Sequence, residues 1–128
     1  MIKSDILIIG AGPVGLFAVF EAGLLKMKCH LIDILPKPGG QCIELYPKKP
    51  IYDIPGYPEI LAGNLIDNLL KQCSQFEPGF TLGEKADKLE KQKDGSFIVT
   101  TNKGTKHHAS VVVIAVSYTH LTLPTNRE

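Results

Sequence analysis

The feature that most constrains this chain is the run Ile6-Leu7-Ile8-Ile9 closing on Gly10-Ala11-Gly12-Pro13-Val14-Gly15. Unbroken aliphatic residues, mostly β-branched, suit a strand buried on both faces of a parallel sheet. The period then changes. Val14, Phe17, Ala18, Leu24 and Leu25 recur at helical spacing, and Pro13 suits the first helical turn, where an N–H has no intrahelical partner to lose. Cys29-His30-Leu31-Ile32-Asp33 reads as a second strand, so residues 1–33 predict one β-α-β unit with the helix as crossover. Inside that unit the G-x-G-x-x-G spacing has a physical meaning. Gly10 permits the tight turn, Gly12 lets the backbone approach a pyrophosphate with no side chain between, and Gly15 lets helix and strand pack closely. The free N–H groups at the start of the helix, together with its positive dipole end, face the phosphates. Asp33 is placed to accept hydrogen bonds from an adenosine ribose, and its charge would repel the 2′-phosphate of NADP. A glycine-rich turn alone can bind nothing. With strand, helix and acid all in position it predicts a dinucleotide site, for FAD or NAD(H).

Beyond Asp33 the chain is rich in turn chemistry. Pro36, Pro38, Pro47, Pro50 and Pro55, with Gly39, Gly40 and Gly56, exclude long regular elements from residues 34–58, and a loop of that length in a compact domain is usually functional. Leu61, Leu65, Ile66, Leu69, Leu70, Cys73 and Phe76 then mark one apolar stripe and predict a helix over 61–76. Residues 80–115 read as strands: a polar one over 84–92, a turn at Asp94-Gly95, an alternating one over 97–101, a turn at Lys103-Gly104, and the apolar 111–114, which returns to the buried sheet. The first two should pair as an antiparallel hairpin.

Composition narrows the function classes. The chain has 128 residues, with 14 Lys+Arg against 13 Asp+Glu and a formal net charge of +1. This suits one small domain with its own core and supplies no basic footprint for nucleic acid. The uncharged stretch 6–20 is too short for a membrane span and is broken by Pro13, and Asp5 precedes it where a signal peptide favours positive charge. No membrane association is expected. Cys29, Cys42 and Cys73 form no C-x-x-C, so neither a disulfide framework nor a zinc site is indicated, and a reducing cytoplasm fits best.

Taken together, the glycine motif, the Gly39-Gly40-Gln41 and Leu45-Tyr46-Pro47 elements and the run Tyr52-Asp53-Ile54-Pro55-Gly56 resemble the thioredoxin-reductase-like ferredoxin–NADP reductases. The resemblance covers residues 1–115. It implies an α/β fold with a Rossmann-like parallel sheet, the N-terminal part of a two-dinucleotide flavoprotein's FAD domain, carrying an antiparallel β-meander insertion. It implies FAD contacts from Gly10, Gly12, Pro13, Gly15, Asp33, Gln41, Tyr46 and the backbone near Ala86. NADPH would bind a domain outside this chain, and ferredoxin would be the partner of a full-length homodimer. This chain by itself is expected to be inactive. Thioredoxin reductase or another pyridine nucleotide-disulfide-type flavoprotein is the alternative, and a non-catalytic dinucleotide-binding module is a second one.

No side chain offers itself as acid, base or nucleophile. Cys42 has no second cysteine nearby and reads as a packed thiol rather than half of a redox pair. His107 and His108, adjacent and without a third ligand, read as exposed turn residues rather than a metal site. After Ala115 the pattern changes abruptly. Residues 116–125, Val-Ser-Tyr-Thr-His-Leu-Thr-Leu-Pro-Thr, reproduce one translated frame of a transposon-end sequencing adapter, and 116–128 are expected to be a non-native tail.

Overall fold

A computed structural model describes residues 1–40 and 48–115 of the chain. Its centre is β1 (Ile2–Ile9), flanked in parallel by β2 (Cys29–Asp33) on one side and β8 (Lys106–Ile114) on the other. β5 (Gly79–Leu82) extends the parallel part beyond β2. Past β8 the sheet turns antiparallel through β7 (Phe97–Thr101) and β6 (Ala86–Lys91), giving the order β5-β2-β1-β8-β7-β6. The expected hairpin and the return to the parallel sheet are both present.

The aliphatic run of β1 is buried on both faces, as its composition requires. Ile8, with Leu31 of β2, faces α1 (Pro13–Leu24) and α2 (Ala62–Ser74), where Leu16, Val19, Leu65, Ile66, Leu69 and Cys73 complete one core. Leu7 and Ile9, one residue out of phase, join Ile32, Ala86, Val99 and Ala109 in a second core beneath the meander. Among the described residues, two short strands within and just after the proline-rich segment, β3 (Pro50–Ile51) and β4 (Ile60–Leu61), pair antiparallel.

Three expectations are corrected. The apolar spacing that marks α1 as a helix lies on its outer side: Val14, Phe17, Leu24 and Leu25 are exposed, while Gly15, Leu16, Val19, Ala22 and Gly23 face inward. Small residues go inward because neighbours approach the helix closely. A Cβ on Gly15 would overlap the Gly10 carbonyl oxygen, and one on Gly23 would overlap the Phe76 ring. The residues before the polar strand, given no element of their own in the reading of 80–115, form the parallel strand β5. His107 is fully buried within β8, and His108 is half-buried with Nε2 2.8 Å from Ser96 Oγ. Neither is a turn residue, because β8 begins at Lys106 and pairs with β7 over this stretch.

Candidate functional site

The glycine turn sits where β1 ends and α1 begins. Gly10 adopts φ 116°, a left-handed backbone open to glycine, and donates its N–H to Ile32 O at 2.8 Å, tying the turn to β2. Gly12 caps α1 without any side-chain acceptor, Pro13 occupies the first turn, and no acidic residue lies there. The N–H groups at this end therefore have no intrahelical partners, and no carboxylate competes for them.

Asp33 closes the turn from β2. Its Oδ2 accepts the Ala11 N–H at 2.7 Å and its Oδ1 accepts the Leu35 N–H at 2.9 Å. Each carboxylate oxygen keeps a further acceptor position for a ligand hydroxyl. The Asp33 carbonyl in turn accepts the Glu84 N–H at 3.2 Å, and Leu35 O accepts the Gly83 N–H at 3.0 Å, so the loop leading to Ala86 borders the same corner. Ala86 itself is buried at the start of β6.

A second glycine pair, unmarked as a site by its spacing, meets the turn. Gly39 donates its N–H to Ala11 O at 2.7 Å, and a Cβ built on Gly40, at φ 65°, would lie 3.1 Å from the Gly12 Cα. Backbone thus meets backbone above the start of α1. The adjacent glycines were the only signal for this approach, since the partner lies far back in sequence. Gly10, Gly12, Pro13, Gly15 and Asp33 are brought together as expected; Gln41, Cys42 and Tyr46 lie outside the described residues.

The fit to a dinucleotide is good on the groups present: uncapped helix N–H groups, a turn with glycine at positions 10, 12 and 15, and the Asp33 carboxylate bonded to the turn through the Ala11 N–H. Elsewhere, an open cavity of about 600 Å³ is lined by Tyr57, Ile60, Leu61, Asn64, Asn68 and Lys71 among others and shares no residue with the turn. Burial pushes the Cys29 and Cys73 thiols up, away from the thiolate form a nucleophile needs. Among the described residues no group of three or more His, Cys, Asp or Glu is placed to hold a metal ion, and no helix is long and apolar enough to cross a membrane.

No protein-family model matches the chain. A ferredoxin–NADP reductase of Christiangramia forsetii is 77% identical over 115 residues, covering 90% of this chain and 33% of that protein. One of Flavobacterium johnsoniae is 75% identical with the same coverage. Over that stretch the chain is similar to ferredoxin–NADP reductases. It spans about a third of the length of the curated relatives it matches. Among solved structures, thioredoxin reductase from Streptococcus pyogenes superposes with a TM-score of 0.77 at 26% identity, covering 90% of this chain and 35% of that one. A cyclohexanone monooxygenase superposes at 0.72 with 22% identity, covering 91% and 27%, which speaks for the fold alone. The α/β fold is that of the FAD domain of two-dinucleotide flavoproteins.

Proposed function

We propose that residues 1–115 are the N-terminal FAD-binding part of a thioredoxin-reductase-like ferredoxin–NADP reductase, which passes electrons between NADPH and ferredoxin. The observation that carries this reading is the 77% identity to such a reductase over a stretch that includes the complete glycine turn with Asp33. Bound FAD supplies hydride acceptance from NADPH and single-electron transfer to an iron–sulfur partner. The chain's own residues bind and orient. The N–H groups at the start of α1 hold the pyrophosphate, Gly12 leaves it room, and the free acceptor positions of Asp33 take the ribose hydroxyls. Gln41, Tyr46 and the backbone near Ala86 complete the flavin contacts. NADPH binds a domain outside this chain, the whole protein works as a cytoplasmic homodimer, and residues 116–128 are not native to it.

The test is flavin retention. Gly12→Val in the whole protein should elute from gel filtration without FAD while its circular dichroism stays unchanged; elution with stoichiometric FAD would remove Gly12 from the phosphate turn. Thioredoxin reduction is the second reading, favoured by the superposition on the S. pyogenes enzyme. The genomic reading frame past Ala115 separates the two, since a C-x-x-C downstream supports thioredoxin and its absence supports ferredoxin. The same frame tests the tail: past Ala115 the genomic sequence should depart from residues 116–125, and a genomic frame that encodes them would make the tail native.

A further inference from the structure

The buried histidines lie outside the glycine-turn site and have a chemistry of their own. His30 Nε2 is 2.7 Å from Thr81 Oγ1, and the same oxygen is 3.4 Å from His107 Nε2. The two imidazole centroids are 4.7 Å apart, His107 is 0% exposed, and its Nδ1 has no hydrogen-bond partner. The three side chains come from β2, β5 and β8, so the cluster spans the seam between the parallel strands and the meander. Room for it is built in, because a Cβ on Gly79, the register partner of His30, would overlap the His30 ring.

We propose that His30, Thr81 and His107 form an acid-sensitive latch that holds the meander against the parallel sheet while both imidazoles are neutral and releases it when either is protonated. One hydroxyl donates one proton and accepts others. An orphaned buried N–H is rarer than an orphaned acceptor, so the bonding pattern assigns the His107 proton to Nε2, which donates to Thr81, whose hydroxyl donates to His30 Nε2. A proton added to His30 Nε2 faces a hydroxyl that must then accept from both rings and lose its own acceptor. A proton added to His107 Nδ1 is a buried charged donor with nothing to receive it.

The surrounding charges agree. Burial first, then the neighbouring His107, pushes His30 down to about 4. Burial also pushes His107 down, against the pull of the Glu84 carboxylate, the one charged group reaching it from the loop between β5 and β6. Glu84 is itself held ionised by the Thr101 hydroxyl, at 2.6 Å, by Thr105 and by nearby Lys103. Since His30 titrates lower when folded than the ordinary value of 6.5, its contribution is complete above pH 6.5 and is lost as pH falls from there toward 4. The same loop donates the Glu84 N–H to the Asp33 carbonyl, so release reaches the edge of the glycine turn.

The experiment is hydrogen exchange over β7 and the first half of β8 in the whole protein at pH 7 and 4.5, corrected for intrinsic amide rates. Wild type is compared with His30→Gln and His107→Gln, whose amides hydrogen-bond near the Nε2 position but take up no proton. The local opening constant should rise with acid on the order of a hundredfold more in wild type than in His30→Gln, and more in wild type than in His107→Gln. Equal acid response in wild type and variants overturns the latch. Imidazole NMR of the wild type needs no variant and decides the matter if those fail to fold: both rings should remain neutral until the meander opens, whereas either one titrating near 6.5 in the closed state overturns the proposal.

Discussion

The glycine turn and the histidine cluster lie on the same β-sheet and are built on opposite principles. The turn is made of backbone atoms and missing side chains, contributed mostly by consecutive residues 10–15, with Asp33 accepting two backbone N–H groups. The cluster is made of side chains from three strands, with Thr81 separated by 51 positions from His30 and by 26 from His107. A site made from backbone depends on what is absent, whereas one made from buried imidazoles depends on its protons.

Substitutions can break this contrast. Gly15→Ala should have the largest effect on the fold, lowering stability by about 3 kcal/mol, because the new Cβ meets the Gly10 carbonyl and neither backbone can retreat. Urea denaturation measures it, and a loss no greater than that of Gly12→Ala would mean the turn is not closely packed. Thr81→Val should follow, at about 1–3 kcal/mol, because it keeps the shape and leaves two imidazole nitrogens without their shared partner. A neutral outcome there would show that the histidines hold nothing together.

Asp33→Asn sharpens the comparison from the turn's side. One oxygen becomes an amide donor, so either Ala11 or Leu35 loses its acceptor, with an expected loss of about 1–2 kcal/mol in stability and a weaker flavin affinity by titration. Gly12→Ala should move stability least, within about 0.5 kcal/mol. Its backbone, at φ −84° and ψ −167°, suits any residue, and the new Cβ would sit 3.8 Å from Gly40 Cα. Yet the affinity of the whole protein for FAD should fall about tenfold or more, since the methyl lies where the pyrophosphate approaches. A large stability loss with unchanged affinity would reverse the assigned roles of Gly12 and Gly15.

What the sequence determined by itself was whatever short-range geometry dictates. β2 and β7 occupy the expected residues, α1 starts at Pro13, and α2 lies within the predicted 61–76, because each is governed by periodicity and turn residues in its own segment. The glycine turn between β1 and α1 was legible for the same reason. Tertiary structure decided which side of α1 faces inward, since Gly15 and Gly23 carry no apolar signal and are selected by the approach of Gly10 and Phe76. It also decided that β5 joins β2, that Gly39 and Gly40 close over Gly12, and that β8 pairs on both its edges within one sheet, parallel to β1 and antiparallel to β7. His107 shows the limit most plainly. It follows a turn and is flanked by Lys106 and His108, and only the pairing of distant strands puts it, fully buried, beside His30.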